Sequence, residues 1–419
     1  MKESLAIVGT GVAGMSSAYF LKEKYDITVF EKNDYIGGHT NTVNVDENGK
    51  SIPIDTGFMV FNHETYPLLT KLFEHLEVPI KNTDMSFAVR HDPSGWEYNG
   101  SSMNGLFAQR RNLFNPRYYK FLMSIDKFNK TAPAKLQAGE LDGLTIKEYL
   151  EKENFPKDLY EKFIVPMSAA VWSTPFDKMA DFPAKTLIQF FYNHGFMGLD
   201  TQFQWKTVVN GSETYKQKLI NSYRDRIKTN CEIVSAKTTE EGKVELKDVH
   251  GHTHQFDNVL FASHADETYK IIQNPTKLQA ELLSQFRYQK NIATMHTDTS
   301  VMPRVKRAWS SWNYIIPPKG EPFTVYNMNM LQGVSDKENY FININGEVLV
   351  DQSKIIKTIE YTHPLFDFPA VNAQKRLKEL NEEKSPMYFC GSYFRYGFHE
   401  DALMSGVHIS EFLRGEKVL

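Results

Sequence analysis

Three glycines near the start of the chain, Gly9, Gly11 and Gly14, have the spacing G-x-G-x-x-G. Residues 4–9, SLAIVG, form an apolar run typical of a buried parallel strand, and residues 15–25 have the pattern of an amphipathic helix. In this strand–turn–helix context the glycines allow a tight turn, a close approach of a pyrophosphate to the backbone, and close packing of the helix on the strand. The motif predicts a dinucleotide-binding site with the pyrophosphate at the helix N-terminus. Its expected contacts are Gly9, Gly11, Val12, Ala13 and Gly14.

A second expected strand, residues 26–32, ends in Glu31 and Lys32. An acid roughly 20 residues after the glycine motif can accept hydrogen bonds from the hydroxyl pair of a ribose. A second glycine pair, Gly37 and Gly38, follows soon after, and an Asp-Thr-Gly turn begins at Asp55. Each of these features alone would be interpreted as an ordinary turn. Their order along the chain is what indicates a cofactor-binding site.

This ordered series resembles the motifs of the superfamily of FAD-containing amine oxidases and phytoene desaturases. The resemblance implies FAD rather than NAD, because the glycine pair there gives FAD a second close approach to the backbone, and the acid-x-glycine turn carries backbone amides toward the flavin. His39 stands where many members carry Arg. The implied contacts in this half are Glu31, Lys32, Gly37, Gly38, His39, Thr40, Thr56, Gly57, Phe58 and Met59.

The far half of the implied site lies in CGSYFRYGFHEDALMSG, residues 390–406. An apolar strand is expected to end at Gly391, and a helix to open near Asp401. By the resemblance, Gly391 approaches the ribityl chain and the helix N-terminus points at the flavin. Ser392 departs from the family pattern, in which an acidic residue follows the glycine. The expected apolar face of the helix is Leu403, Val407, His408, Phe412 and Leu413. The implied contacts, with a strand beside the adenine included, are Ile233, Val234, Gly391, Ser392, His399, Glu400, Asp401, Ala402 and Leu403.

The fold class implied by these motifs is α/β, with a Rossmann-type FAD-binding domain of the glutathione-reductase-like, amine oxidase branch and an interleaved α+β substrate domain. A chain of 419 residues suits two joined domains. The predicted FAD-binding domain comprises residues 1–82, 203–285 and 380–419. The predicted substrate domain comprises residues 83–202, largely helical, and 286–379, with more strands.

Composition excludes several classes of protein. The net charge of −3 gives no global indication of nucleic-acid binding. The two cysteines form no CxxC pair, which argues against a disulfide framework and fits a reducing compartment. The N-terminus lacks the pattern of a signal peptide, and no run of about 18 apolar residues occurs. The expected location is therefore cytoplasmic.

Two segments keep alternative interpretations open. Residues 106–130 are basic and aromatic, with a helix expected after Pro116. Such a segment could dock on an anionic membrane surface, which would make the protein membrane-peripheral, or form a helix with one buried and one solvated face. The alternation of His250, His252 and His254 could suggest a metal ligand set. It lies on an expected hairpin with no added Cys or acid cluster, so we interpret it as a solvated turn and predict no metal site.

A longer set of motifs, among them GHTNTV, FIVPMSAAVWSTP, WSSWNY and YGFHEDALMSG, resembles a bacterial family of predicted NAD/FAD-binding proteins often found beside cyclopropane-fatty-acyl synthases. That resemblance covers nearly the full chain. It implies oxidation, desaturation or isomerisation of modified fatty acyl chains by hydride transfer to flavin N5, with a cyclopropane-synthase-like methyltransferase as a partner. The alternatives are a carotenoid-type desaturase or isomerase, an amine oxidase, and a flavin-bound accessory protein of a lipid methyltransferase.

Three features of the sequence constrain the chemistry further. No second G-x-G-x-x-G occurs between residues 100 and 380, so electrons are expected to come from the substrate rather than from NAD(P)H. Amine oxidases of the superfamily usually place a Lys near the flavin, whereas the strand expected to align there carries Met295 and His296, with Lys290 before it. Aromatic residues of the substrate domain could line a tunnel for a long apolar chain or simply pack helices together. They are Trp172, Phe176, Phe182, Phe190, Phe191, Tyr192 and Phe196.

Removing hydrogen from an unactivated carbon needs a hydride acceptor and often a base. The candidate bases are His399, Glu400 and His296, and also His194. His399 and Glu400 lie, by the resemblance, on the loop that faces the flavin. Either could instead cap the helix or bind the ribityl chain.

Overall fold

The computed structural model describes residues 2–198 and 203–419. The α-helices within these ranges are α1 Val12–Leu21, α2 Pro67–His75, α3 Met103–Leu106, α4 Pro116–Gln137, α5 Ile146–Lys152, α6 Lys157–Leu159, α7 Val165–Trp172, α8 Ala184–Asn193, α9 Glu213–Ile220, α10 Ala265–Ile271, α11 Lys277–Leu283, α12 Met328–Gln332, α13 Phe368–Gln374, α14 Glu379–Glu382 and α15 His399–Arg414. The strands are β1 Ser4–Val8, β2 Asp26–Phe30, β3 Thr42–Glu47, β4 Lys50–Asp55, β5 Ile80–Asn82, β6 Phe87–His91, β7 Trp96–Asn99, β8 Lys206–Val208, β9 Ile227–Lys228, β10 Ile233–Thr238, β11 Val244–Asp248, β12 Thr253–Phe256, β13 Asn258–Phe261, β14 Arg287–His296, β15 Trp312–Ile316, β16 Phe323–Asn327, β17 Phe341–Ile344, β18 Ile355–Leu365 and β19 Met387–Phe389.

A five-stranded parallel sheet has the order β19-β13-β1-β2-β9. Strands from the beginning, the middle and the end of the chain therefore lie side by side, with β1 at the centre. The predicted strand, glycine turn and helix at the N-terminus are present as β1, Gly9–Gly11 and α1. The three short strands predicted before β13 are also present, as the antiparallel meander β10-β11-β12.

A seven-stranded mixed sheet has the order β18-β14-β17-β16-β15-β6-β7. Its neighbouring strands pair antiparallel except for β6 and β15, which pair parallel. Helices α4 to α8 share one apolar core with β6, β7 and β15 of this sheet. The mixed α/β architecture confirms the predicted fold class, and the domain boundaries stay a prediction.

Helices α1 and α15 pack so closely that a side chain at Gly406 would not fit between them. A Cβ atom there would lie 2.7 Å from both the Ala13 carbonyl oxygen and the Ser16 Oγ. The face that α15 turns inward carries Leu403, Val407 and Leu413. His408 and Phe412, which the sequence analysis placed on the same face, are exposed because they lie on the opposite side of the helix, one turn apart. That part of the prediction is wrong.

In the described part of the chain, none of the helices has both the length and the apolar character required to cross a lipid bilayer.

Candidate active site

The carboxyl ends of four parallel strands open onto one cavity. Gly9 follows β1, Glu31 follows β2, Ala262 follows β13, and Gly391 lies just beyond β19, and all four line the cavity. Ligands of open parallel sheets bind at this edge. The cavity has a volume of about 890 Å³, within the range of roughly 300–1,000 Å³ that small-molecule sites occupy. It continues past the N-terminus of α15 to aromatic residues of α7 and α8.

The glycine motif shapes the sheet end of this cavity as the sequence predicts. Gly9 has a φ of +105°, which favours glycine, and a Cβ at Gly14 would lie 2.0 Å from the Gly9 carbonyl oxygen. Gly14 therefore serves the packing of α1 and does not itself line the cavity. A Cβ at Gly11 would meet no atom within 4 Å, and one at Gly38 would lie 3.4 Å from the Gly11 Cα. Gly11 and Gly38 thus leave space directly before the N-terminus of α1, which no side chain caps.

Glu31 and Lys32 line the cavity as predicted. The Glu31 carboxylate accepts hydrogen bonds from the Thr10 amide (3.1 Å) and hydroxyl, and from the Asn33 amide and side chain (both 2.9 Å). Lys32 forms an ion pair with Glu267 at 2.6 Å. The carboxylate is thus fixed in place between β1 and β2, beside the cavity.

A group of cavity-lining side chains that the sequence analysis only partly anticipated lies next to Gly38. The His39 ring stacks on Tyr361 with centroids 4.7 Å apart, and its Nε2 lies 3.2 Å from Nε2 of His363. Burial lowers the pKa of His39 well below its ordinary value and the pKa of His363 to about 4. Tyr361 and His363 come from β18, more than 300 residues after His39, and both line the cavity. Both imidazoles are neutral at pH 7.

Thr40 and Thr56 do not line the cavity, contrary to the prediction. The Thr40 hydroxyl lies 2.5 Å from the Tyr215 hydroxyl, and the Thr56 hydroxyl bonds to the Asn41 carbonyl (2.9 Å) and the Tyr361 hydroxyl (2.7 Å). Their oxygens hold the surrounding chain in position instead. Gly37, Gly38, His39, Gly57, Phe58 and Met59 all line the cavity.

Of the two residues predicted beside the adenine, Ile233 lines the cavity and Val234 does not. Val234 is 42% exposed. The two are neighbours on β10, whose side chains point alternately to opposite faces, so only one of them can face inward.

The C-terminal half of the site divides in the same way. Gly391, Ser392, His399 and Ala402 line the cavity, whereas Glu400, Asp401 and Leu403 do not. Leu403 is buried in the core, and the Asp401 carboxylate accepts a hydrogen bond from the Phe398 amide at 2.9 Å, so it caps its own helix. Burial raises the pKa of Asp401 to about 7. The side chains of these three residues do not face the cavity, because the helical period turns only His399 and Ala402 toward it.

Glu400 binds the N-terminus of another helix and therefore is not placed to act as a base. Its carboxylate oxygens accept hydrogen bonds from the amides of Leu68 (2.8 Å) and Leu69 (2.9 Å), in the first turn of α2. These amides are among the four that a helix leaves without a partner of its own.

Replacing Glu400 by alanine is expected to destabilise the protein and leave catalysis unchanged. The loss of a helix-capping side chain costs about 1–2 kcal/mol, which thermal unfolding would measure as a lower Tm. The rate of flavin reduction should equal that of the unchanged protein. A slowed reduction with an unchanged Tm would contradict this assignment.

His296 is also wrongly predicted as a base. It is fully buried and does not line the cavity. Its Nε2 lies 2.8 Å from the Asn343 side-chain oxygen, and its Nδ1 accepts a hydrogen bond from the Asp298 amide at 3.0 Å. Both ring nitrogens are therefore hydrogen-bonded within the protein. One connects β14 to β17, and the other holds the chain just after β14.

His399 does lie at the cavity, between two aromatic side chains. Its ring stacks on Phe58 with centroids 3.9 Å apart, and its Nε2 lies 2.6 Å from the Tyr215 hydroxyl. Burial lowers the pKa of His399 to about 3. A group with so low a pKa accepts protons poorly at neutral pH, so His399 is suited to hydrogen bonding and positioning rather than to general base catalysis.

Beyond His399 the cavity is walled by six rings, which we call the aromatic chamber. The ring of Phe190 lies 4.7 Å from Trp172, 4.9 Å from Phe398 and 3.8 Å from His194, between centroids. The chamber consists of Trp172, Phe190, His194, Phe196, Trp205 and Phe398. Of the aromatic residues predicted for a tunnel, Phe176, Phe182, Phe191 and Tyr192 do not line it. Trp205 and Phe398 were missed as chamber residues, since no short motif marks them.

Burial keeps seven of the described histidines neutral at pH 7, so the free energy of unfolding depends on pH. The pKa of His194 falls to about 4, beside the values already given for His363 and His399. An unfolded chain would protonate these groups near pH 6.5. Below that pH the unfolded state binds more protons, so the free energy of unfolding should fall as pH drops from about 6.5 toward 4. The pKa is lowered by burial at His39, His91, His194, His264, His296, His363 and His399.

Three buried carboxyl groups make the opposite contribution to the pH dependence of the free energy of unfolding, but the seven histidines outnumber them. Burial raises the pKa of Asp55, Glu400 and Asp401, so their contribution is present at low pH and is lost as pH rises. We therefore expect the Tm of the cofactor-free protein to fall between pH 7 and pH 5. His194→Phe should flatten that slope, and His408→Asn, at an exposed position, should not. A Tm that stays constant or rises toward pH 5 would contradict the expectation.

Comparison with known proteins agrees with this arrangement. The model of the family described as flavin containing amine oxidoreductase matches residues 12–303. A 15-cis-phytoene desaturase of Arabidopsis thaliana is 28% identical over 181 residues, which are 40% of this chain and 31% of that protein. The chain thus spans about a third of the length of this curated relative.

Solved structures share the fold over almost the whole chain. Cyclohexylamine oxidase from Brevibacterium oxydans has a TM-score of 0.70 at 16% identity and covers 99% of this chain and 100% of its own. A fatty acid isomerase from P. acnes that produces CLA has a TM-score of 0.68 at 13% identity, with 99% of each chain covered. At such low identity these likenesses establish the fold alone.

The residues of the cavity fit an FAD molecule. The uncapped N-terminus of α1 and the open space at Gly11 suit a pyrophosphate, and the carboxylate of Glu31 lies where a ribose can bind. The family match covers well over half of the chain. The chain therefore belongs to the flavin containing amine oxidoreductase family, and FAD is its cofactor.

Proposed function

We propose that this oxidoreductase removes a hydride from a lipid-like substrate, a fatty acyl chain or its modified form, in an oxidation, desaturation or isomerisation. The observation that carries the proposal is the aromatic chamber. Among the described residues, the acids and lysines that line the cavity lie outside the chamber, at Glu31, Lys32, Glu232, Asp266, Glu267, Lys270, Lys290 and Glu360. A chamber walled by rings desolvates an apolar chain and offers no carboxylate to pair with a charged amine.

The side chains of the chamber suit the charge that such a reaction creates. When bound, FAD supplies the acceptor for the hydride. A carbon that loses a hydride becomes positive, and an aromatic face within about 6 Å attracts a cation by up to about 2 kcal/mol in a desolvated site. His194 and His399 are neutral at pH 7 because burial lowers the pKa of each. They add no positive charge that would oppose the reaction.

The names of the similar proteins include two that denote apolar substrates, a phytoene desaturase and a fatty acid isomerase, and one that denotes an amine oxidase. Oxidation of an amine is the second candidate. Lys290 lines the cavity and forms an ion pair of 2.9 Å with Glu360, but both side chains are mainly exposed. Amine oxidases of the superfamily usually place a Lys near the flavin. Because Lys290 lies at the exposed rim of the cavity instead, its position favours a lipid-like substrate over an amine.

Anaerobic mixing with a panel of compounds tests the proposal. Unsaturated fatty acids, their phospholipid esters and cyclopropane fatty acids are expected to bleach the flavin absorbance, lastingly in an oxidation or desaturation and transiently in an isomerisation, which returns the hydride to the product, and primary amines are not. A carotenoid that bleaches the flavin while fatty acyl compounds do not would shift the assignment to a carotenoid-type desaturase or isomerase. Bleaching by amines alone would overturn it.

The alternative to an enzyme is an accessory protein that binds flavin and assists a lipid methyltransferase. The motif resemblance supports this alternative. It predicts that every lipid in the panel leaves the flavin oxidised, while the tagged protein retains a cyclopropane-synthase-like methyltransferase in a pull-down. Bleaching of the flavin by lipid without the methyltransferase would contradict it.

Peripheral contact with a membrane is part of the proposal. Five of the large apolar side chains that are exposed lie close together in sequence, at Met103, Leu113, Phe114, Tyr119 and Met123. Phe114 is 88% and Met123 63% exposed. Arg110, Arg111, Arg117 and Lys120 lie in the same segment. Apolar side chains that enter the lipid and cations that attract its anionic headgroups together favour binding to a membrane surface.

Sedimentation with vesicles tests this contact. The protein is expected to sediment with phosphatidylglycerol vesicles and less with phosphatidylcholine vesicles, and Phe114→Ser should reduce sedimentation. Val348→Ser is the matched control, since Val348 is 80% exposed elsewhere on the surface. Equal binding by the two variants would overturn membrane docking through this segment.

A further inference from the structure

Three side chains that can bind a metal, those of Cys231, Asp248 and His254, meet on the meander β10-β11-β12, at the edge of the cavity described above, and the exposed His252 lies beside them. Cys231 precedes β10, Asp248 ends β11, His252 lies in the turn that follows, and His254 lies on β12. Cys231 and Asp248 are buried, His254 is half-buried and His252 is exposed. We interpreted the histidine alternation as a solvated turn because it carries no added Cys or acid cluster. Asp248 lies two residues before it in the sequence, and the antiparallel pairing of β10 with β11 brings Cys231 to the same place.

The two oxygens of Asp248 have different partners. Oδ1 accepts hydrogen bonds from the amides of His250 (3.0 Å) and His252 (2.9 Å), which fixes the turn between β11 and β12. Oδ2 faces three side chains instead: it lies 3.6 Å from the Cys231 Sγ, 3.3 Å from the His252 Nδ1 and 2.9 Å from the His254 Nε2. A carboxylate oxygen offers about two lone pairs, so three neighbours exceed what hydrogen bonds to Oδ2 alone can satisfy.

A metal ion among these groups would satisfy all four. Thiolate sulfur, imidazole nitrogen and carboxylate oxygen are the ligands of Zn²⁺ in proteins, at about 2.0–2.3 Å in tetrahedral sites. The ligand atoms of Cys231, Asp248 and His254 lie within 4.8 Å of one another. Two ligand atoms of a tetrahedral Zn²⁺ lie about 3.3–3.8 Å apart, so side-chain shifts of about 1 Å bring these atoms to that spacing.

The surroundings already orient the ligands. The amides bound to Oδ1 hold the Asp248 carboxylate in place, and the His254 ring packs against Phe30 with centroids 5.2 Å apart. Partners of this kind, beyond the ligands themselves, are a regular part of metal sites. A turn that needed only a capping carboxylate would not require a thiol and two imidazoles around its second oxygen.

We propose that Cys231, Asp248 and His254, joined by the exposed His252 after a rotation of its side chain, bind one Zn²⁺ or a similar divalent cation with affinity for thiolates. The Cys231 thiol releases its proton to solvent when the metal binds, and the histidines bind as neutral imidazoles. The ion joins the start of β10 to the turn after β11. Because Cys231 and Ile233 also line the cavity, it stiffens the cavity wall next to Glu31 and Ile233. The site does not depend on the substrate of the oxidoreductase.

Titration with Co²⁺ tests the site in the full-length protein with its flavin, after treatment with a chelator. Binding is expected to saturate at one Co²⁺ per chain, with a charge-transfer band of a thiolate–cobalt bond in the near ultraviolet that Zn²⁺ abolishes. Flavin also absorbs there, so difference spectra against the metal-free protein are needed. Zn²⁺ should also raise the Tm.

The two cysteines provide a matched pair of variants. Cys231→Ser should abolish the charge-transfer band and weaken binding by more than about 10-fold because it removes the thiolate ligand. Cys390→Ser should leave both unchanged, since Cys390 is fully buried at the end of β19. His252→Ala should weaken binding and keep the charge-transfer band. The His252 side chain is exposed, so its removal should leave the fold intact. Absence of the band in the unchanged protein, or its persistence in Cys231→Ser, would overturn the proposal.

Discussion

Replacing Gly11 by valine is expected to remove FAD from the protein without unfolding it. Gly11 has a φ of −57°, which valine can adopt, and a Cβ there would meet no protein atom within 4 Å. The side chain would instead fill the space before α1 that suits the pyrophosphate. Loss of two charge-assisted hydrogen bonds to phosphate, each worth about 1.5 kcal/mol, weakens binding on the order of 100-fold.

The flavin absorbance of the purified variant and an FAD titration measure this effect, and thermal unfolding checks the fold. Gly14→Val provides the contrast within the same motif, because its Cβ would lie 2.0 Å from the Gly9 carbonyl oxygen. That variant should lose stability by about 3 kcal/mol or more, as overpacked cores do. A Gly11→Val protein that purifies yellow, with an FAD affinity near that of the unchanged protein, would contradict the phosphate assignment.

The sequence allows good prediction where a local pattern determines local structure. The series of strand, glycine turn and helix at Gly9–Gly14 is such a pattern, because the positive φ of Gly9 and the close packing at Gly14 require glycine. The meander β10-β11-β12 is another, since its turns are marked at Gly242 and Gly251, both with positive φ. Glu31 lies at the cavity, and its position depends only on the length of the segment after the motif.

Prediction failed where a residue's role depends on the direction of its side chain. Glu400 and Asp401 follow His399 directly, yet they point to α2 and to the helix's own start, respectively. The helical period in the sequence could have separated His399 and Ala402, three residues apart, from the two acids. Val234 was misplaced beside Ile233 for the equivalent reason on a strand.

Long-range contacts lie beyond any local pattern. The approach of His363 to His39 depends on how β18 pairs with β14, and that of Cys231 to Asp248 on the register of β10 with β11. No spacing in the sequence encodes either contact. The aromatic chamber combines rings from α7, from α8 and the residues that follow it, from the position before β8 and from the loop before α15. Its members differ from nearby core aromatics only in position.

Phe190→Leu is expected to slow flavin reduction by about 30-fold, because it removes an aromatic face from the chamber while keeping an apolar side chain. The Phe190 ring contacts Trp172, His194 and Phe398, so it lies at the centre of the chamber. If its π-face stabilises positive charge on the substrate carbon, its loss costs about 2 kcal/mol, a factor of about 30 in rate. Anaerobic stopped-flow reduction with the substrate that bleaches the flavin measures the change.

Phe191→Leu is the matched control, since Phe191 is the next residue on α8, is fully buried and does not line the cavity. The two variants lose the same atoms from neighbouring positions, and a loss of packing costs each a comparable amount of stability. Only Phe190→Leu should slow reduction, and FAD should stay bound in both. Equal slowing in the two variants would mean that packing of α8, rather than an aromatic face at the substrate, controls the rate. An unchanged rate in Phe190→Leu would remove the aromatic chamber from the chemistry and leave it a role in binding alone.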